Sequence, residues 1–377
     1  MNGYVSTFGR RIDGMRVLCF SHNPENYGAA NYQQEFLDEL ARQSCVTFYG
    51  PGFPNFDPAL NADDVSNLIK RDDGYDCIVT AHMWISEVDG RSFPCPRLDL
   101  SSVPIPKIGI LNKEYQYLTE KLAYYERNNF DLILSHHHDV YGLVRRSELR
   151  VQFWPFAADE RKVVTPTTRV FDLGFSGVLR NEHVPQTQAN IRRELMKEIF
   201  WTIGDLPIAR KPAYRKLRVA WNAMPRQRKG EGPPLSYRLL KQVFRRYGYK
   251  RFSEHAYFEF LAKTRLIACT LSPLGLISPR MYEAMASGCV VICEDDERYG
   301  HVFPEGSYVA LDGNPRNWGK QIADLAHREE FLVEIASKGR NYVRIHHTWS
   351  VRVRKLIREA DKITLTKCPN EPKRKTT

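Results

Sequence analysis

The residues Leu266 to Asp296, LIACTLSPLGLISPRMYEAMASGCVVICEDD, constrain the fold more than any other stretch of the chain. Leu266 to Leu271 is an apolar run, with Thr270 its one polar residue, that has the length of a buried strand, and Ser272-Pro273 ends it in a loop that carries Gly275. A helix is predicted next. Ser278 is a capping residue, Pro279 suits the first helical position, where its missing N–H costs nothing, and Gly288 supplies the left-handed stop. Cys289 to Cys293 predicts a second buried strand, which ends in the acidic cluster Glu294, Asp295 and Asp296. Strand, loop, helix and strand in immediate succession make a unit of a parallel sheet.

A helix that starts in the loop after a parallel strand turns free N–H groups and its positive dipole end toward the crevice at the sheet edge, a setting that favours phosphate. Arg280 and Glu283 are spaced to share one helical face. A cation beside phosphates and a carboxylate one turn deeper, accepting from ribose hydroxyls, would together hold a nucleoside diphosphate. The same two residues also read as an ion pair on a solvated helix face, and spacing alone does not choose between the readings.

The remaining chain repeats the alternation. Strands are predicted at Met15 to Phe20, Cys45 to Tyr49, Asp76 to Ala81, Pro106 to Leu111, Asp131 to Leu134 and Val151 to Trp154, with helices at Asn31 to Arg42, near Ala62 to Arg71 and ending at about Arg127. The stretch ERKVVTPTTR reads as an interdomain linker, after which a second alternating series begins at Phe171. The expected domains are 1–162, a linker at 163–169, 170–348, a C-terminal helix at 349–366 packing back toward the first domain, and a disordered basic tail at 367–377. Each half is a doubly wound α/β domain, and the two together frame a cleft between the C-terminal edges of two sheets.

Composition excludes some functions. Lys plus Arg number 55 against 44 Asp plus Glu, a formal charge of +11, so the surface attracts anions such as nucleotide phosphates or an acidic membrane face. The basic loop MPRQRKGEGPP has no interleaved aromatics and no nucleic-acid module around it, which argues against nucleic acid as a partner. The eight Cys fall mostly in apolar runs without paired CxxC spacing, as expected of buried thiols in a reducing cytoplasm. No signal-peptide pattern opens the chain, and no run reaches the ~18 apolar residues of a membrane span, leaving at most peripheral contact.

SPRMYEAMASGCVVI resembles the donor-sugar-nucleotide segment of the GT-B glycosyltransferases of group 1 and their CgeB-like relatives. The resemblance extends from about Val170 to Trp349 through FSGVLRN and the closing HTW, and in the first half it rests mainly on strand order. It implies the GT-B fold, two Rossmann-like domains facing each other across a cleft. It also implies a metal-independent, retaining transfer from a nucleotide-sugar donor to a glycan, lipid-linked or small-molecule acceptor. Glu283 matches the second of the family's two donor-loop Glu residues, while Gly275 stands where the first would be.

By the same resemblance Gly177, Gly275, Leu276, Ser278, Arg280 and Glu283 bind the donor, and Arg180 and Lys263 stabilise the departing diphosphate. Fixed donors of that kind contribute ~3 kcal/mol or more to a transition state. His82, at the end of DCIVTAH, matches a family histidine that faces the acceptor, and its ordinary pKa near neutrality suits a proton transfer. His22, Asn23, Lys113 and His136 are the remaining acceptor-side candidates. No metal site is expected: His136, His137 and His138 on an extended segment would point to alternate sides, and no cofactor beyond the donor itself is implied. Two other readings stay open, a nucleotide- or glycan-binding protein of this fold without turnover and a DNA-base glucosyltransferase. The oligomeric state is not legible.

Overall fold

The computed structural model describes residues 14–23, 31–54, 56–57, 59–60, 62–71, 74–81, 98–112, 117–139, 148–164, 168–176, 219–220, 253–272, 275–314 and 317–367. The chain divides into two compact units, Met1–Trp154 with Trp349–Thr377, and Pro155–Thr348.

The first unit is built on a six-stranded parallel sheet. Its strands are β1 (Arg16–Phe20), β2 (Cys45–Tyr49), β3 (Cys77–Thr80), β4 (Lys107–Leu111), β5 (Leu132–Ser135) and β6 (Val151–Phe153), in the order β2-β1-β3-β4-β5-β6. Helices α1 (Asn31–Gln43), α2 (Ala62–Arg71) and α3 (Leu118–Arg127) make crossovers. The inner strands β3, β4 and β5 are buried at every position, which is why they read as continuous apolar runs rather than alternating ones. Gly109 in β4 is needed for packing: a Cβ there would lie 2.6 Å from the Tyr125 ring of α3. Lys107, at the start of β4, is buried and donates from Nζ to the carbonyls of Leu100 and Val103 at 2.9 and 2.8 Å.

The second unit has a five-stranded parallel sheet: β7 (Phe171–Ser176), β8 (Val219–Ala220), β9 (Thr264–Ala268), β10 (Val290–Glu294) and β11 (Val309–Leu311), ordered β11-β10-β9-β7-β8. Around it lie α4 (Glu254–Ala262), α5 (Pro279–Ala286), α6 (Glu297–Gly300), α7 (Trp318–Ala326) and α8 (Glu329–His346). Ser253 caps α4, accepting from the Ala256 amide at 3.3 Å. The core gathers Leu173, Leu266, Ala268, Val290 and Ile292 from the sheet with Trp318, Leu332 and Ile335 from the helices. Arg169, at the end of the segment expected as a linker, belongs to this unit. Its guanidinium donates to carbonyls of Leu261, Ala262 and Thr264 and of Ser287 and Gly288, closing the C-terminal ends of both α4 and α5.

The last helix, α9 (Trp349–Lys367), returns to the first unit. Trp349 Nε1 donates to the buried Glu35 of α1 at 2.8 Å, and Gln43 of α1 donates to the Ser350 carbonyl at 3.0 Å. The basic tail expected from residue 367 onward lies outside the described residues except for Lys367, which ends α9 and pairs with Asp131 at 2.7 Å. Among the described residues no helix is long and apolar enough to cross a membrane.

Candidate functional site

The stretch 266–296 folds as strand, loop, helix and strand, with local departures from the sequence reading. β9 ends at Ala268, three residues before the apolar run does. Cys269 still bonds to the Ile292 carbonyl at 2.9 Å, but the Leu271 amide is taken by the Glu294 side chain, also at 2.9 Å, so the ladder stops while burial continues. At the far end α5 closes in a Schellman arrangement: Gly288, at φ +72°, bonds to Met285 at 2.8 Å and Cys289 bonds to Ala284 at 3.0 Å. Cys289 therefore belongs to the helix stop rather than to β10.

Ser278 is the N-cap residue of α5, and Pro279 occupies the first turn as expected. The side-chain cap is not formed. The Ser278 hydroxyl instead accepts from Arg280 Nε at 3.3 Å, and the first turn closes through the Met281 amide on the Ser278 carbonyl at 3.0 Å. The preceding loop holds itself together: Ser272 accepts from Gly275 at its carbonyl, 2.9 Å, and from Leu276 at its hydroxyl, 3.0 Å. Gly275 sits at φ +76°, over the guanidinium of Arg298, which is forked onto Asp296 with Nε–Oδ1 2.6 Å. The position where the family would place a carboxylate is thus one that a left-handed backbone reserves for glycine.

Glu283 lies one turn into α5 and is 7% exposed. Its partner is Tyr257 of α4, whose hydroxyl donates to Oε2 at 2.7 Å. The solvated Arg280–Glu283 ion pair is therefore not what the fold builds. Burial raises the Glu283 carboxyl above the usual carboxylate range, opposed by the Tyr257 hydrogen bond and by the charges of Arg280 and Lys162. Burial likewise raises the Tyr257 phenol, so this hydroxyl keeps its proton and remains a donor. Lys162 itself pairs with Glu254 at the start of α4. The result is a buried acceptor flanked by cations, at the N-terminal end of a helix on the C-terminal edge of a parallel sheet, a setting able to bind a ribose diol next to a diphosphate.

Tyr257 and Lys162 escaped the sequence reading, since neither lies within twenty residues of Glu283 and no local pattern ties them to it. Lys263 needs correction. It is the C-cap of α4 and precedes β9, so it stands at the N-terminal edge of the sheet, a strand length of roughly 16 Å from the loop that leads into α5. There it pairs with Glu259 at 3.6 Å, and its carbonyl accepts from Val170 and Phe171. Gly177, Arg180, His82 and Lys113 lie outside the described residues.

In the first unit, the C-terminal sheet edge gathers His22 after β1, Asn112 after β4 and His136 after β5. His22 is buried, and Asn23 is tied to the loop after β2, its amide donating to the Pro51 carbonyl at 2.9 Å. His136 is buried with Nδ1 2.8 Å from the Trp154 carbonyl, which sets the proton on Nδ1. The Tyr32 ring stands perpendicular to His136 with centroids 6.3 Å apart, and its hydroxyl donates to Asn112 Oδ1 at 3.2 Å. His137 and His138 do not alternate as an extended segment would: their rings stack at 4.9 Å, because the chain bends after β5. Among the described residues no three His, Cys, Asp or Glu side chains are grouped to hold a metal ion.

Residues 223–358, roughly a third of the chain, match the family model described as Glycosyl transferase-like. No curated protein matches the sequence. Among solved structures the chain is similar to sucrose-phosphate synthase from Thermosynechococcus elongatus, with TM-score 0.57 and 11% identity over 93% of this chain and 100% of that one. It is similar also to Anabaena HepE in complex with UDP and glucose, with TM-score 0.58 and 13% identity over 92% and 100%. A third is the N-terminal domain of Candida albicans trehalose-6-phosphate phosphatase, with TM-score 0.54 and 13% identity over 94% and 98%. At such identities the likeness is one of fold, and that fold is GT-B, with two Rossmann-like α/β domains.

Proposed function

We propose that the chain is a glycosyltransferase that moves a sugar from a nucleotide-sugar donor to a hydroxyl of a glycan, a lipid-linked sugar or a small acceptor. The observation that carries this reading is Glu283, buried one turn inside α5, accepting from Tyr257, with Arg280 on the turn before it. Support comes from the family-model match over 223–358 and from the GT-B likeness to HepE, a protein seen with UDP and glucose.

In this mechanism Glu283 accepts from the ribose hydroxyls, and the N-terminus of α5 with Arg280 receives the diphosphate. Negative charge grows on the diphosphate as the glycosidic bond breaks, so dipoles and cations already aimed at it favour the transition state over the ground state. Arg180 is assigned to the same leaving group. Gly177, Leu276 and Ser278 line the donor, and Gly275 offers backbone where relatives of group 1 have a carboxylate. His82 is assigned to the acceptor hydroxyl, with His22, Asn23, Lys113 and His136 on the acceptor side. The transfer is proposed to be metal-independent and retaining, in the cytoplasm or at a membrane surface.

The test is incubation with a panel of nucleotide sugars, with and without acceptors, reading release of nucleoside diphosphate. Glu283→Gln removes charge-assisted hydrogen bonds of ~1.5–3 kcal/mol, so nucleoside diphosphate affinity should fall about tenfold or more without a lower melting temperature. Unaltered affinity by calorimetry would remove Glu283 from the nucleotide site. Gly275 favours a second reading, a nucleotide-binding protein without turnover. Binding with no release of diphosphate from any donor would select it.

A further inference from the structure

Helix α8 has a face that the proposed transfer does not use. Leu332, Ala336, Arg340 and Arg344 follow one another at spacings of four, with Val333 three residues before Ala336, so they share one side of the helix. That side lines a pocket of about 370 Å³ whose opposite wall includes Arg169, Arg265 and Gly288. Arg265 is near the start of β9 and Gly288 precedes β10, so the pocket is at the N-terminal edge of the second unit's sheet. The N-terminus of α5 is at the other edge.

The four arginines are not equally compensated. Arg265 pairs with Asp172 at 2.9 Å and with Glu329, and Arg344 meets Glu160 at 3.3 Å. Arg169 spends its fork on helix-end carbonyls and has no carboxylate partner among the described residues. Arg340 forms no ion pair among the described residues, and its Nε is a buried donor without a hydrogen-bond partner there. These two cations border the same glycine: a Cβ on Gly288 would lie 2.9 Å from Arg169 Nη2 and 3.7 Å from Arg340 Cδ. Adjacent like charges together with an unsatisfied buried donor are unfavourable unless an anion joins them.

We propose that this pocket binds a phosphomonoester. The phosphate, a dianion with several acceptor oxygens, meets the Arg340 fork beside the charge of Arg169, with Arg344 one turn further along the same face, and the organic part lies along Leu332, Val333 and Ala336. The volume is in the range of small-molecule sites and exceeds what a bare ion needs. The same chemistry is offered by a free phosphorylated metabolite and by a lipid headgroup. The site is independent of the donor site, since it uses neither Glu283 nor Arg280.

The test is calorimetric titration of the full chain with phenyl phosphate. Arg340→Gln should weaken binding about tenfold or more and Arg340→Lys less, whereas Lys320→Gln on α7, an equal loss of charge, should leave it unchanged. Arg280→Gln separates the two sites, because phosphate held at α5 would respond to Arg280 and not to Arg340. Flotation with vesicles of phosphatidic acid in phosphatidylcholine assigns the source: Arg340-dependent capture identifies a lipid headgroup, and its absence beside phenyl phosphate binding identifies a free metabolite. No binding by the unsubstituted protein would overturn the proposal. So would equal loss in Arg340→Gln and Lys320→Gln, or a loss confined to Arg280→Gln.

Discussion

Tyr257→Phe removes one oxygen and changes almost nothing in shape, so it isolates the hydrogen bond that holds Glu283. That bond is 2.7 Å long and buried, and when Glu283 is ionised a bond of this kind contributes ~1.5–3 kcal/mol. Taking about 2 kcal/mol, and about 2–4 °C per kcal/mol for a unit the size of Pro155–Thr348, the melting temperature should fall by roughly 4–8 °C at neutral pH. The pH dependence has a definite sign. Burial raises the folded-state pKa of Glu283 above its ordinary 4.5, so the stabilising contribution is complete below the unfolded pKa and is lost as pH rises through the folded one. Because the Tyr257 bond opposes that rise, removing it moves the folded pKa further up. The variant should therefore match the unsubstituted protein most closely in acid and fall behind it toward neutrality.

In a Glu283→Gln background the same Tyr257→Phe change removes only a neutral hydrogen bond of about 1 kcal/mol, which leaves a coupling of about 1 kcal/mol in the double-mutant cycle. The assay is calorimetric melting of the four proteins at several pH values. Equal losses in both backgrounds, or a loss independent of pH, would show that Tyr257 acts through packing and not through the Glu283 charge.

Gly275→Ala forces an L-residue into φ +76° and drives its Cβ toward Arg298, so it should cost ~1–2 kcal/mol and weaken nucleotide binding, with Gly275→Asn milder; full stability in Gly275→Ala by thermal melting would mean the loop relaxes freely. Lys107 bears on pH. Burial, the largest cause, lowers its pKa from 10.5 to about 8, so the unfolded chain binds this proton more tightly and stability should rise as pH climbs between those values. Lys107→Met should flatten that rise in urea melts followed across the interval, and an unchanged slope would assign it to another group.

Much of the fold was legible because its signals are local. The alternation of apolar runs with helical segments indicates parallel crossovers, and the observed sheets contain parallel pairs throughout their described strands. Gly288 as the stop of α5 follows from the conformation that residue favours. Lys263 shows how sequence proximity misleads: a residue just before a strand lies near its start, whereas the donor loop leaves from its end. That placement was available from the parallel topology alone.

The sequence by itself determined the succession of strand, loop, helix and strand in the 266–296 unit, though not where its strands end, and it put Arg280 and Glu283 on one face of α5, because periodicity and capping act over a few residues. Tertiary structure decided how deep that face lies and what meets it. Tyr257 reaches Glu283 only because α4 packs beside α5, and Arg169 leaves the expected linker because two helix ends present their carbonyls together. Burial then turned Glu283 from a surface charge into an acceptor with a raised pKa. Desolvation and hydrogen-bond partners depend on neighbours distant in the chain, and a local pattern carries no record of them.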